Sequence, residues 1–509
     1  MLRRDFFQLA LASGIAASLA PLDQALAAQG PAQTDRKQAF PVVKGLTRDV
    51  AEFILKTNYS DIPADVIEVG KKSILDGFGL SLAGSTADSG HIAREYIRGS
   101  ELCGGSSTVS GTNLKVPPRF AAFLNGVAIH AFDFDDTQLV VGPGRVYGLL
   151  MHPTVTALPP AFAVGEPAGI SGKDLMLAYH IGVEVECKIA LALSPRSYND
   201  GFHITGICGP FGSAAAGSKL RNLNENQILN GFGVAATAGG GLRANFGTMT
   251  KPFHAGHAAE GGLIAVDLAS RGFTGAQNVL EAPGGFMHAY GGSYEYEPGF
   301  LTKQLGNPWV FASPGVSIKP FPSGSLTHPG MSEMLRLIRQ NKIKPAEVES
   351  VDVSTNKFAL GSLIHHDPHT GLEAKFSMEF CLAILLLRGK AGLPEFTDAV
   401  VNRPDVQAMI HRVHYSGSAM AAAAGLNTMN TIIHIHLKDG RTISGRAEYA
   451  LGSPQHPMSY EQVADKFRGC VDYAKWPQAK AEKIIETVRT LESVADIREL
   501  TPLLSGEKE

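Results

Sequence analysis

Apolar residues recur at helical spacing through about half of this chain, and this pattern constrains its fold more than any other feature. Leu46, Val50 and Ile54 begin the pattern, and few stretches of it alternate between apolar and polar residues. Spacings of three and four residues place such side chains on one face of a helix. Small residues at 214–217 should let helices approach closely. The sequence therefore predicts a large helical domain over residues 45–312.

A different pattern marks the stretch that follows. Ile433 and Ile435 alternate with polar residues, and Asp439-Gly440 supplies a hairpin turn. Alternation with a period of two is typical of a half-exposed strand, and Asp-Gly favours a tight turn between two strands. We therefore predict a smaller α+β domain over residues 313–449, inserted into the helical domain, whose last helices occupy 450–505. The predicted fold class is mainly α with a smaller α+β domain.

The first residues have the layout of an export signal. Arg3-Arg4 precedes an apolar run from Leu9 to Ala20, and Ala25-Leu26-Ala27 follows it. This layout is typical of a secretory signal, and twin arginines indicate the Tat type. The run is shorter than the ~20 residues that a membrane span needs. We expect residues 1–28 to be a Tat-type signal peptide and the mature protein to be periplasmic, without stable membrane insertion. An uncleaved anchor and an ordinary buried helix are the alternatives.

Export through the Tat system should depend on the twin arginines. Replacement of Arg3 and Arg4 by Lys should leave the protein in the cytoplasm, because the Tat signal is read through this pair. Fractionation of cells that express each form measures this, and unchanged export of the variant would contradict the assignment.

Charge, cysteine content and missing motifs exclude several classes of protein. Lys+Arg 45 against Asp+Glu 48 gives a formal charge of -3, which argues against a nucleic-acid partner. The 5 cysteines form no C-x-x-C pair, so we expect neither a disulfide framework nor a cysteine-based zinc site. Phosphate-binding loops, H-E-x-x-H and G-x-S-x-G are absent, and the glycines of 206–212 have the wrong spacing for a dinucleotide site.

Ionisable residues in apolar surroundings mark the candidate site. The segment His130–Thr137 contains Asp133, Asp135 and Asp136 and follows an apolar helix. Buried charge is costly unless it is paired or used, so such clusters often have a function. Crowded carboxylates raise one another's pKa, and one of them could be poised as a base. Replacing Asp133 by Asn should then cost little stability. Structural acids at a metal or a helix end are the alternative.

Two histidines and two lysines extend the candidate set. His152 and His203 each precede an apolar or small-residue helix, Lys251 precedes another, and Lys319 lies where the two patterns meet. Taken singly, each His is more often structural and each Lys more often a surface residue. Together they provide the groups needed to bind a small polycarboxylate and move a proton. We expect Lys319 to be unpaired in the absence of substrate.

These segments resemble the MmgE/PrpD family. The resemblance runs from about residue 45 to 500 with its motifs in the same order. It rests on residues 46–53, 130–137, 152–153, 201–203, 250–256, 317–322, 327–329, 372–377 and 452–459.

The resemblance implies a helical domain with an α+β lid, a homodimer, an active site between the domains, and neither a metal nor an organic cofactor. It also implies a cofactor-independent lyase or isomerase that transfers a proton next to a carboxylate of a small di- or tricarboxylate. Dehydration of the 2-methylcitrate type, by a carbon–oxygen lyase, is favoured. Decarboxylation of the cis-aconitate type and epimerisation of the iminodisuccinate type are the alternatives.

Carried over residue by residue, the resemblance gives a set of catalytic residues: Asp133, Thr137, His152, His203, Lys251 and Lys319. The lysines would grip carboxylates and stabilise developing negative charge, and the histidines would act as acid and base. Asp133 would orient a histidine or Thr137, or act as the base itself.

The chain departs from the family pattern near the substrate. Gln138 replaces a His that is common after the Thr, and the stretch from Val140 to Leu150 is longer than in many members. Ser323-Gly324 stands where many members have Cys or His. These departures bear on the identity of the substrate rather than on the fold.

Two other classes of protein have the same kinds of residue. A periplasmic carboxylate-binding protein would also be exported and would hold carboxylates with Lys and His, but it should have two α/β lobes. A metal-dependent hydrolase would bind its ion with five of the clustered residues: His130, Asp133, Asp135, Asp136 and His152.

Overall fold

Long buried helices form most of the fold. The computed structural model describes residues 43–100, 104–142, 145–193, 196–291, 296–418 and 430–506. The predicted signal peptide, residues 1–28, lies outside the described residues, so it stays a prediction. Among the helices that are described, none combines the length and the apolar character that a membrane crossing requires.

The first part consists of consecutive helices. Those of 13 residues or more are buried over most of their length because apolar and small residues occupy several of their faces. The helices of this part are α1 (Leu46–Lys56), α2 (Ala64–Gly84), α3 (Asp88–Gly99), α4 (Pro118–His130), α5 (Pro153–Ala168), α6 (Gly172–Ala192), α7 (Arg196–Asn199), α8 (Ile204–Leu220), α9 (Glu225–Ala235), α10 (Thr250–Ser270), α11 (Phe286–Gly291) and α12 (Gly299–Thr302).

Two short antiparallel hairpins interrupt these helices. The first pairs β1 (Ser107–Thr108) with β2 (Lys115–Val116), and the second pairs β3 (Gln138–Gly142) with β4 (Arg145–Met151). The second hairpin lies between the acidic segment and His152.

A four-stranded sheet organises the smaller part, in the order β6-β5-β7-β8. Strand β5 is parallel to β6 and antiparallel to β7, and β7 and β8 form a hairpin. Ile433 and Ile435 are fully buried while His434 between them is exposed, as the alternation predicted. Gly440 takes a positive φ of 86° in the predicted turn. The strands are β5 (Val348–Thr355), β6 (Val413–Gly417), β7 (Thr431–Leu437) and β8 (Thr442–Ala447).

One face of this sheet packs against helices, and the buried side chains of both layers form a single core cluster. The helices of this part are α13 (His328–Asn341), α14 (Lys357–Leu360), α15 (Gly371–Ala374), α16 (Met378–Arg388), α17 (Asp398–Val401) and α18 (Pro404–Ile410).

The last helices return to the first ones. They are α19 (Tyr460–Tyr473), α20 (Gln478–Arg489) and α21 (Thr501–Leu504). Helix α19 packs on α2 so closely that a Cβ on Gly79 would lie 2.7 Å from the ring of Phe467. The predicted fold class, mainly α with a smaller α+β part, is confirmed. The domain boundaries 45–312, 313–449 and 450–505 and the homodimer stay predictions.

Glycines set the spacing of the helices that carry the candidate site. A Cβ on Gly217 of α8 would lie 2.9 Å from Leu263 of α10, as the small residues at 214–217 led us to expect. Helices α4 and α10 cross at Gly126 and Gly256, where a Cβ on Gly256 would lie 2.6 Å from the Phe123 carbonyl oxygen. This crossing places the end of α4 beside the start of α10.

Replacement of Gly256 by Ala should therefore destabilise the protein by ~1–3 kcal/mol, the usual cost of overpacking. It should also lower turnover, because α10 must move away from α4. Chemical unfolding and steady-state kinetics measure the two effects. Gly469→Ala is the matched control, because Gly469 is exposed in α19 with open space around it. At that position Ala should raise the free energy of unfolding by as much as about 1 kcal/mol through its higher helix propensity. Equal stability of the two variants would contradict the role of the crossing.

Candidate active site

The ends of several helices converge on one buried cluster. His130 is the last residue of α4, His152 and His203 immediately precede α5 and α8, and Lys251 lies in the first turn of α10. The N–H groups at helix N-termini favour negative charge. Lys319 reaches the cluster from the segment that leads into the α+β part. All five side chains are buried.

Asp133 lies between the two lysines. Its Oδ1 accepts hydrogen bonds from Lys251 Nζ at 2.6 Å and from Lys319 Nζ at 2.9 Å. Lys319 Nζ also donates to the Asp133 carbonyl oxygen at 2.8 Å. The other carboxylate oxygen, Oδ2, is buried without a hydrogen-bond partner. Lys319 is thus paired, contrary to expectation, because the chain turn at Asp133, with φ of 49°, presents both the carbonyl and the carboxylate to it.

Asp135 fixes two imidazole rings. Its oxygens lie 2.9 Å from His130 Nδ1 and 3.3 Å from His152 Nδ1. Lys251 Nζ lies 2.7 Å from His130 Nε2, and because an ammonium group can only donate, this Nε2 is an unprotonated acceptor. His130 is therefore neutral, with its proton on Nδ1, where it donates to Asp135.

His152 has the same tautomer. Its Nδ1 donates to the Asp136 carbonyl oxygen at 2.9 Å, which leaves Nε2 unprotonated, 3.9 Å from Asp133 Oδ1. The pKa of His152 is lowered to about 3, mainly by burial; Asp135 opposes this shift and Lys251 adds to it. An unprotonated ring nitrogen that faces the lysine cluster can take a proton from a substrate.

His203 is the second imidazole available to a substrate. Its Nδ1 lies 3.2 Å from Nδ1 of His254, while its Nε2 is buried without a hydrogen-bond partner. Burial, and then the charge of Lys251, lower the pKa of His203 well below its ordinary value. Buried polar atoms are rarely left unsatisfied, so Nε2 of His203 and Oδ2 of Asp133 indicate where a ligand binds.

One cavity joins these groups, with an empty volume of about 380 Å³. Its charged and polar lining comprises Asp133, His152, Tyr198, His203, Lys251, Lys319, Ser325 and Ser362, and its apolar lining comprises Leu150, Phe246, Leu326, Leu363 and Phe376.

The acidic residues do not titrate alike. Burial alone would raise the pKa of Asp133, but Lys251 and Lys319 together hold it well below its usual range. Asp133 is therefore a poor base, and the crowding argument fails for it because the lysines outweigh the neighbouring acids. Burial raises the pKa of Asp136 to about 7, and Asp135 adds to this increase. Burial also lowers the pKa of Lys251.

Thr137 lies differently from the other predicted site residues. Its hydroxyl donates to the Met151 carbonyl oxygen at 3.2 Å, and its backbone pairs with Ser317. It borders a neighbouring cavity of about 570 Å³ that shares Lys319 with the first. The structure therefore does not bring its hydroxyl to Asp133, and a catalytic role for Thr137 stays a prediction.

Three residues that line the site or lie beside it are not in the predicted set. His254 follows Lys251 at the i+3 position of α10, so helical spacing places both on one face. Lys375 is buried, donates to the Pro322 carbonyl oxygen at 2.9 Å and has a pKa lowered by burial to about 7. Only its place in the 372–377 segment pointed to it. Leu150 carried no signal, since the length of the hairpin does not specify which of its side chains faces the cavity.

The clustered residues do not suit a metal ion. His130, Asp133, Asp135 and His152 offer ligand atoms within 4.8 Å of one another. A divalent cation there would meet the ammonium groups of Lys251 and Lys319, which already contact Asp133 Oδ1 and repel further positive charge. The arrangement thus gives no support to the metal-dependent hydrolase.

Removal of metal ions should leave activity unchanged. Because two ammonium groups already contact Asp133, dialysis against a chelator should not lower turnover, and added zinc or manganese should not raise it. Elemental analysis of the purified protein provides the control. Activity that disappears with the chelator and returns with one metal would contradict this expectation.

Two domains of a known family match consecutive parts of this chain. Residues 48–299 match the MmgE/PrpD N-terminal domain, and residues 321–493 match the MmgE/PrpD C-terminal domain. A cis-aconitate decarboxylase of Homo sapiens is 31% identical over 484 residues, which are 91% of this chain and 95% of the relative.

Two further relatives align with this chain over most of the length of both proteins. A cis-aconitate decarboxylase of Aspergillus terreus is 26% identical over 91% of this chain and 96% of the relative. A mitochondrial 2-methylcitrate dehydratase of Yarrowia lipolytica is 22% identical over 88% of this chain and 87% of the relative. With both domains matched in order, the chain belongs to the MmgE/PrpD family.

Proposed function

We propose that this protein is a cofactor-independent lyase of a small polycarboxylate, and that it decarboxylates an acid of the cis-aconitate type. The proposal rests on one cavity that is lined by two buried ammonium groups, by the unprotonated Nε2 of His152 and by the Nε2 of His203, which has no hydrogen-bond partner. Dehydration of the 2-methylcitrate type, which the sequence favoured, ranks second, because relatives named cis-aconitate decarboxylase have the higher identities.

The lysines are the groups that would bind carboxylates. Lys251 and Lys319 are both within 3 Å of Asp133 Oδ1, so their charges are concentrated at one place. A substrate carboxylate beside them would accept charge-assisted hydrogen bonds, which are about twice as strong as neutral ones. The same two charges would stabilise the extended enolate that forms next to that carboxylate during the reaction.

The histidines would supply the proton. Lys251, Lys319, Asp133 and Asp135 balance one another in charge, so a bound polyanion adds net negative charge to a buried site. Negative charge nearby raises the pKa of an imidazole, and His152 or His203 would take up a proton as the substrate binds. The resulting imidazolium is then a general acid beside the reacting carbon.

The decarboxylation then needs no external electron acceptor. The bond between the substrate carbon and its carboxylate breaks, carbon dioxide leaves, and the electron pair passes through the adjacent double bond to a carboxylate held by the lysines. The imidazolium proton is then transferred to carbon. Dehydration would use the same groups in another order, with an unprotonated imidazole removing a proton and an acid protonating the departing hydroxyl.

Turnover of an acid panel in deuterated water tests the proposal. Citrate, 2-methylcitrate, cis-aconitate and iminodisuccinate are incubated with the wild-type protein and with a Lys251→Met variant as negative control. Decarboxylation should release carbon dioxide and place one deuterium on product carbon. Dehydration would release water without carbon dioxide, and epimerisation would introduce deuterium without loss of mass. No turnover and no binding of any of these acids would refute the proposal.

The binding-protein alternative predicts a different fold. Two α/β lobes with alternating strands and helices are not found in the described part of the chain, where the largest sheet has four strands and only one helix-covered face. A saturable affinity for a carboxylate without any turnover would be the result that favours this alternative.

A further inference from the structure

The side of the cavity that the α+β part provides is uncharged. Leu326 and Leu363 belong to the core cluster of that part, and Phe376 stacks on Phe246 with ring centroids 5.5 Å apart. Gly324, Ser325 and Ser362 complete this side. The charged lining comes from the helical part and from Lys319.

Leu150 completes the uncharged side from the second hairpin. It lies near the end of β4, lines the cavity and packs against the core cluster of the α+β part. Its φ is 61°, a left-handed conformation that is rare for a bulky side chain. Strain of this kind persists only where surrounding contacts hold the residue in place, and it is concentrated at functional sites. The contacts of Leu150, rather than its backbone preference, therefore fix its side chain in the cavity.

We propose that Leu150 determines specificity by forming, with Leu326, Leu363 and Phe376, a subsite for an uncharged group. This inference rests on the proposed function, in which Lys251 and Lys319 hold the other carboxylates. A carboxylate placed in the subsite loses hydration without gaining a cation, so it is bound poorly, and its departure as neutral carbon dioxide removes that penalty. A hydrocarbon branch of the same shape is bound well.

Two acids of equal shape test this subsite. Tricarballylate carries a –CH₂–COO⁻ branch on a succinate unit, and 2-isobutylsuccinate carries –CH₂–CH(CH₃)₂ in its place. Calorimetric titration of the full chain should give an affinity at least roughly tenfold higher for 2-isobutylsuccinate, since each buried methylene contributes about fourfold. The Lys251 and Lys319 contacts are common to both acids, so the difference reports on the branch alone.

Variants at Leu150 assign the preference to this residue. Leu150→Ala should lower the affinity for 2-isobutylsuccinate by about fivefold or more through lost apolar contact, and it should leave the affinity for tricarballylate unchanged. Leu150→Gln should raise the affinity for tricarballylate, because the amide can donate a hydrogen bond to the third carboxylate of this acid. Leu387→Ala is the matched control, because Leu387 packs partly buried against the same core cluster without lining the cavity. It should leave the ratio of the affinities for the two acids unchanged.

The outcomes separate this inference from the proposed function. If both acids bind and tricarballylate binds as tightly or more tightly, the subsite is refuted while the lysine site stands. The same holds if Leu150→Ala and Leu387→Ala change the affinity ratio equally. If neither acid binds, the lysine site itself is refuted, and the subsite with it.

Discussion

Replacement of Asp133 by Asn should cost the protein both stability and turnover. The amide keeps the shape of the side chain but removes the negative charge that Lys251 and Lys319 share at 2.6 and 2.9 Å. All three side chains are buried, so the two ammonium groups would lose the carboxylate that both of them contact. Breaking a buried pair in this way typically costs ~3–5 kcal/mol. Chemical unfolding at pH 7 measures the loss, and kcat should fall with it because the lysines lose their position.

The loss should depend on pH in a defined direction. The pKa of Asp133 is lowered in the folded state, so its charge contributes stability above the ordinary carboxyl pKa of about 3.9. That contribution is lost as the pH falls through the lower folded-state pKa. The difference in unfolding free energy between wild type and Asp133→Asn should therefore be constant from pH 5 to 8 and shrink below pH 4.

Asp136→Asn is the matched control in the same segment. Asp136 is also buried, but its pKa is raised to about 7, mainly by burial and further by Asp135. Its negative charge therefore opposes folding as the pH rises toward 7 and above. At pH 8 the Asn variant should be at least as stable as the wild type. Equal losses for Asp133→Asn and Asp136→Asn would show that the lysines do not distinguish the two acids.

The contrast between these acids shows what the sequence could and could not predict. The four ionisable residues of 130–136 are adjacent in the sequence, and their clustering pointed correctly to a site. The charge of Asp133, however, is held by Lys251 and Lys319, which lie 118 and 186 residues from it in the sequence. The spacing of residues along the sequence does not predict the distance in space between segments so far apart. The crowding of neighbouring acids was visible, and the lysines that outweigh it were not.

Local patterns were the more reliable part of the prediction. The alternation at Ile433 and Ile435 depends only on which face of one strand is buried, and the turn at Gly440 depends only on the backbone conformation that glycine allows there. His152 and His203 were singled out because each precedes a helix, but no local pattern distinguishes them from structural histidines. The family resemblance assigned them catalytic roles. Thr137 was carried over in the same way, yet its hydroxyl bonds to the backbone of Met151. A matching residue type does not specify where its side chain points.

Replacement of Lys319 by Ala should reduce kcat/KM by roughly 10²–10³, the usual cost of removing one donor that meets developing charge. Lys319 is 1% exposed and donates to both the carbonyl and the carboxylate of Asp133. Its removal should also lower stability moderately, since Asp133 keeps Lys251 as a partner. Lys319→Arg should restore little activity, because the planar guanidinium is larger than the space that the ammonium group fills.

A lysine outside the site separates catalysis from folding. Lys71 is buried and paired with Glu492 at 2.9 Å, away from the residues that line the cavity. Lys71→Ala should lose stability while its folded fraction keeps the wild-type kcat/KM. If Lys319 acts on the substrate, its Ala variant loses kcat/KM even when fully folded, and the loss appears for every acid whose carboxylate it holds. If both lysine variants keep wild-type kcat/KM once folded, Lys319 only holds the turn at Asp133, and Lys251 alone must stabilise the developing charge.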